Sequence, residues 1–153
     1  MWTLAKTCAI VAMSVVAAGN VMAVDLPEPF VALAVQSKPL YLGEAWGPGL
    51  KQMGAQLNAR VLANCPYRLE ASFQGLRHRQ GKAVISPRDM SVAINGEPVA
   101  VGGGRTTVVS SYEPTPSGGV DVAIALQVGV RGLELYPAGR YGGALVITVM
   151  AGP

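Results

Sequence analysis

The chain has 153 residues, of which 50% are hydrophobic, 14% are charged and 19 are glycine, a composition that excludes a disordered chain or a nucleic-acid-binding tail. The formal charge of +3 falls to about +2 once Lys6 is set aside with a predicted leader, too little to point to nucleic acid or anionic lipid.

The leader is residues 1–23. "MWTLAK" is a short n-region with one Lys, "TCAIVAMSVVAAG" an apolar h-region, and "VMA" the approach to a cut after Ala23, the layout of a secretory signal peptide. An uncleaved membrane anchor is the alternative. Gly19 and Asn20 interrupt the apolar run, which falls short of a comfortable span and favours cleavage. Cys8 would leave with the leader, so Cys65 would stand alone in an oxidising compartment with no intramolecular disulfide open to it. An intermolecular bridge, a reactive thiol and a buried inert thiol all remain open, the last because Cys65 is in phase with Leu57, Ala59, Val61 and Ala63.

Residues 24–36, "VDLPEPFVALAVQ", form an isolated strand-like segment with Val31, Leu33 and Val35 on one face. Residues 37–55 are rich in Gly and Pro and lack a clean period; they are expected to form a loop that packs Tyr41 and Trp46 on the domain. The domain proper, residues 56–153, then begins with "QLNARVLANC", in which Leu57, Ala59, Val61, Ala63 and Cys65 share a face. "RLEASFQ" repeats the alternation, with Leu69, Ala71 and Phe73 inward and Arg68, Glu70, Ser72 and Gln74 outward.

A polar stretch, "GLRHRQGK", leads to a short predicted strand over 83–86 and then to "DMSVAINGEPVAV". Asn95-Gly96 supplies the positive φ values of a type I′ hairpin, which sets Ile94 opposite Glu97, Ala93 opposite Pro98 and Val92 opposite Val99. Pro98 has no N–H to donate, so it predicts a sheet edge or a bulge. "TTVVSSY" is the next strand. "EPTPSGG" is a turn-rich connection, and "VDVAIALQV" puts Val120, Val122, Ile124, Leu126 and Val128 on one face. After "GLELYP" a terminal strand over 142–150 alternates Gly143, Leu145, Ile147 and Val149 against Ala144, Val146, Thr148 and Met150, apolar on both faces. No window shows a helical stripe bounded by caps. Some seven to nine short strands with turn signals between them predict an all-β, two-sheet sandwich.

Enzymatic chemistry finds little support in these residues, and no cofactor or metal is expected. His78 is the sole histidine, set in "RHRQGK" where a surface loop is expected; no Ser or Cys has a nucleophile motif around it. Without the leader there is one His and one Cys, short of a zinc site. "VGGGRTT" lacks the Lys-Ser/Thr ending and the following helix of a phosphate loop. Asp89, Asp121, Glu70 and Glu113 could converge as a carboxylate pair, but their spacing does not place them together.

The ending "YPAGRYGGALVITVMAGP" resembles the last strand of bacterial chaperone-usher pilus subunits and of the related spore-coat-U-like and CS1-type fimbrial proteins. The similarity lies in Ala138, Gly139, Tyr141 and Gly143, followed by Leu145, Ile147 and Val149. The resemblance implies an immunoglobulin-like β-sandwich lacking its final strand. It also implies export to the periplasm and then to the cell surface as part of a fimbrium, with a periplasmic pilus chaperone, an outer-membrane usher and other subunits of the same fibre as partners. Completion would come by donor-strand complementation, a form of strand addition. Val31, Leu33 and Val35 are then the candidate donor strand, and Tyr141, Gly143, Leu145, Ile147 and Val149 the candidate groove or terminal-strand interface. Residues 30–36 serve equally well as the first strand of their own sheet, since alternation does not distinguish the two. The expected function is a non-enzymatic structural or adhesive fibre subunit. A monomeric periplasmic or secreted β-sandwich binding domain is the alternative.

Overall fold

The structure, a computed structural model, describes residues 28–35 and 39–152, with the backbone alone of Thr3–Leu4 and Ala9–Ile10. The predicted leader otherwise lies outside the described residues, as does the start of the 24–36 segment. Ten strands follow in order: β1 (Val31–Val35), β2 (Lys51–Ala63), β3 (Tyr67–Phe73), β4 (Arg77–His78), β5 (Met90–Ile94), β6 (Glu97–Pro98), β7 (Arg105–Ser111), β8 (Val120–Val130), β9 (Arg140–Gly142) and β10 (Leu145–Ala151). One sheet has the spatial order β1-β2-β8-β5-β6. The second has β10-β3-β7, and a small ladder joins β9 to β4. This all-β fold is a sandwich of two antiparallel sheets, with β1, β2, β5, β6 and β8 in one and β3, β7 and β10 in the other.

Alternation explains the layers. Ala59, Val61 and Ala63 of β2, Ile124, Leu126 and Val128 of β8, and Val92 and Ile94 of β5 are buried on one inner face. Leu69, Ala71 and Phe73 of β3 and Leu145 and Ile147 of β10 supply the other. Outward positions carry charge, and the directly opposed Arg60 and Asp121 form an ion pair at 2.9 Å. Both side chains are 59% exposed, so the pair adds little stability.

The Asn-Gly hairpin forms in the predicted register, with Asn95 at φ 50° and Gly96 at φ 84° and Ala93 opposite Pro98. Pro98 lies on β6, at the edge of its sheet. Asn95 does more than turn the chain: its amide donates to the Ala123 carbonyl at 3.3 Å and its side-chain oxygen accepts from Ala125 N–H at 2.7 Å. The turn is thereby fastened to β8.

Several expectations are corrected. The first long strand starts at Lys51, inside the stretch read as a loop over 37–55. Gly54 hides its start from a pattern search; a Cβ there would lie 3.2 Å from the Leu126 carbonyl oxygen, a tight contact across the ladder. The strand ends at Ala63, so Cys65 is in the following bend, half-buried and with Sγ 3.7 Å from the Phe30 carbonyl oxygen, not on the strand's inner face. The strand predicted over 83–86 shrinks to one bridge between Val84 and Arg77. Trp46 and Tyr41 are 65% and 53% exposed, and it is Leu42 and Ala45 that pack the loop onto the domain.

The predicted terminal strand over 142–150 is two strands. Gly143 sits at the break, where a Cβ would stand 2.1 Å from the Gly75 carbonyl oxygen; the chain steps sideways there to pass that backbone, and the Ala144 carbonyl accepts from Gln74 N–H at 2.9 Å. Beyond the step only one face is deeply buried, because Val146, Thr148 and Met150 stay half-exposed on the other.

Candidate functional site

The edge of β10 is the feature on which the candidate residues converge. Its inner side is paired in antiparallel register with β3, from Leu145 opposite Phe73 to Ala151 opposite Tyr67. Among the described residues, its other side carries only the two-residue segment Ala9–Ile10, parallel and opposite Val146 and Ile147. Among the described residues no longer strand lies along that edge, and an edge strand is a template for strand addition.

Across the sandwich from β10 lies β1, the edge strand of the other sheet. Its Val31, Leu33 and Val35 are half-buried against the core, as is Val149 of β10, whereas Leu145 and Ile147 are 1% exposed. The two edge strands thus bound an apolar seam that is only partly closed. The candidate donor residues themselves pair within the chain: Val31 stands opposite Ala63, Leu33 opposite Val61 and Val35 opposite Ala59 on β2. Asn64 extends that pairing, taking the Phe30 N–H on its side-chain oxygen at 2.7 Å and donating its amide to the Glu28 carbonyl at 2.9 Å. An Asn directly before the end-of-strand "CP" was the available sequence signal. Thr115 works the same way at the other side of β2, its hydroxyl accepting from Ala63 N–H at 3.0 Å and donating to the Ala63 carbonyl at 3.1 Å.

Tyr141 and Gly143 are not on the open edge. Tyr141 is fully buried on β9, with its hydroxyl donating to the Pro137 carbonyl at 2.9 Å. A tyrosine whose hydroxyl bonds back to backbone a few residues upstream is similar to the tyrosine corner of some β-sandwiches. Burial raises the pKa of this hydroxyl above its usual value, with nearby Tyr136 adding to the effect. The ring of His78 meets Tyr141 edge-on, with centroids 5.0 Å apart. His78 is therefore on a short strand and half-buried, not in a surface loop. Its Nδ1 accepts from Gln80 N–H at 3.2 Å, which leaves Nε2 to carry the proton toward the Ala138 carbonyl at 3.3 Å. Gly139 makes room for that ring, since a Cβ there would fall 2.2 Å from Nε2. Of the "AGRYGG" phrase, Ala138, Gly139 and Tyr141 form this corner and Gly143 makes the step past Gly75.

The acidic residues do not gather. Asp121 pairs with Arg60, which holds its carboxyl below the ordinary range. Glu70 lies between Arg68 at 3.1 Å and Arg105 at 3.8 Å, and Asp89 accepts from the Tyr136 hydroxyl. Among the described residues no three His, Cys, Asp or Glu side chains come together as a metal site, and no helix is long and apolar enough to cross a membrane.

The chain matches no protein-family model and no curated protein.

Proposed function

We propose that the chain is an exported, non-enzymatic subunit of a bacterial surface fibre, structural or adhesive, which assembles when the edge of β10 receives a strand from another copy. The observation that carries this is the outer edge of β10, which among the described residues pairs with the two-residue segment Ala9–Ile10, above a seam of half-buried Val31, Leu33, Val35 and Val149. An added strand would satisfy the backbone groups of β10 and cover the seam with alternate apolar side chains. Such an edge is an aggregation hazard when left bare, and a periplasmic chaperone that lends a strand, followed by delivery through an outer-membrane usher, fits that hazard.

Residues 24–36 are the candidate donor. Their strand is paired with β2 in the single chain, so donation is an exchange, in which β1 of one copy leaves β2 as the β10 edge of the next is filled. The same pairing favours the second reading, a monomeric periplasmic or secreted β-sandwich binding domain whose first strand stays at home. The two are separated by expressing the chain with its own leader, purifying it, and measuring mass by light scattering over a range of concentrations, with and without a synthetic peptide of residues 24–36. Strand exchange predicts multimers that grow with concentration and that the peptide breaks down. A monomer at all concentrations whose mass ignores the peptide leaves the monomeric domain.

A further inference from the structure

The loop before β2 holds a tryptophan out of the core. Leu42 and Ala45 are 4% and 5% exposed and anchor the loop, while the next residue, Trp46, is 65% exposed and Leu50 44%. Gly47 and Gly49 take φ of 79° and 87° on either side of Pro48, a turn that residues with side chains rarely adopt. A large apolar ring kept in water by a well-anchored loop is unexpected from burial alone.

The ring has polar company. Glu44, Trp46, Leu50, Lys51 and Gln52 line a cleft of about 300 Å³, at the lower end of the range for small-ligand pockets. Lys51 and Gln52 open β2 and are placed by its ladder with β8, opposite Val130 and Gly129. The Tyr41 hydroxyl is hydrogen-bonded to the Glu44 carboxylate, and desolvation first, then that carboxylate's charge and hydrogen bond, push its pKa above the ordinary value. No ion pair among the described residues engages Glu44 or Lys51.

We infer that this cleft is a carbohydrate site, which stacks a pyranose ring on the Trp46 indole and holds its hydroxyls through Glu44, Gln52 and Lys51. The negative face of an aromatic ring attracts the outward C–H groups of a flat sugar face. Each sugar hydroxyl is both donor and acceptor, and the cleft offers a carboxylate that accepts, an ammonium that donates and an amide that does both. A gluco-configured ring, with its hydroxyls equatorial, leaves the flattest C–H face for the indole and points its hydroxyls sideways to the rim. A carboxylate in the cleft disfavours an anionic bilayer as the occupant. The site is independent of the β10 edge and of fibre assembly.

Only Trp2 and Trp46 are tryptophan, so the chain carrying W2F, expressed with its own leader, reports Trp46 emission alone. It is titrated with methyl β-glucoside, methyl β-N-acetylglucosaminide and their β-1,4-linked tetrasaccharides, with calorimetry in parallel. A saturable blue shift is expected, stronger for tetrasaccharides. By calorimetry W46A should lose binding, W46F should retain part of it, and E44Q should weaken it about tenfold, the loss of one charge-assisted hydrogen bond. Circular dichroism of each variant checks that the fold is kept. Carbohydrate binding is overturned if no saccharide shifts the emission, if W46A binds as well as the parent, or if phosphatidylcholine-phosphatidylglycerol vesicles alone produce the shift.

Discussion

Replacing Tyr141 by Phe removes one oxygen from the centre of the fold and tests whether the corner holds the last strand. The ring is fully buried, and its hydroxyl donates to the Pro137 carbonyl at 2.9 Å. In Y141F the ring still fills its space and still meets His78 edge-on, so the packing contribution is kept. What is lost is the hydrogen bond from the buried tyrosine to the carbonyl of Pro137, a residue that is itself exposed. Losing such a bond to an acceptor that water can reach costs about 0.5 to 1.5 kcal/mol. With a urea m value of about 2 kcal/mol/M for a domain of this size, the unfolding midpoint should fall by roughly 0.25 to 0.75 M. Urea unfolding by circular dichroism measures it, with Y112F as the control, since Tyr112 is 79% exposed. A Y141F midpoint indistinguishable from that of Y112F would show that water satisfies the Pro137 carbonyl and that the corner does not fasten the strand.

Gly143→Ala should be among the costliest single changes, on the order of 2 kcal/mol or more, because its Cβ would meet the Gly75 carbonyl at 2.1 Å while Gly103→Ala, with nothing within 4 Å, should be near neutral; thermal unfolding compares the two. Alkaline pH should also destabilise the fold. The Tyr136 hydroxyl is raised above its ordinary value by burial and then by its bond to Asp89, and Tyr141 by burial. Groups that hold their protons more tightly in the folded state contribute stability that is whole below the unfolded value of about 10 and is lost as pH rises through the folded value. Urea midpoints should therefore be level from neutral pH to about pH 9 and drop beyond it, less steeply in Y136F; a flat alkaline arm in the parent would contradict the assignment.

Much of the architecture was legible because it follows from local chemistry. Leu69, Ala71 and Phe73 alternate without interruption and are buried as that period requires, and Asn95-Gly96 fixed the hairpin register because few dipeptides accept two positive φ values. Leu145 and Ile147 were placed correctly on the core face for the same reason. What escaped depends on neighbours far away in sequence. The start of β2 is concealed by Gly54, whose role appears only once Leu126 lies beside it. The step at Gly143 is imposed by the Gly75 backbone, and the outward stance of Trp46 by the burial of Leu42 and Ala45. Tyr141 was grouped with the edge residues because it shares their stretch of chain, yet its hydrogen bond to Pro137 turns it inward. Val31, Leu33 and Val35 show the limit most plainly, since alternation marks a strand without naming its partner.

The longest ladder of the sandwich joins β2 to β8, from Val61 opposite Val120 to Lys51 opposite Val130, with residues 64–119 looped between the two strands. The β3 to β10 ladder spans a gap of similar size. Loop closure on this scale must precede any gain from pairing, so folding should be slow, on the order of milliseconds to seconds. Until residues near 120 are available neither long strand has its main partner. A chain wired this way stays open through most of its synthesis, and the interval between emergence and closure is the period of greatest exposure to aggregation.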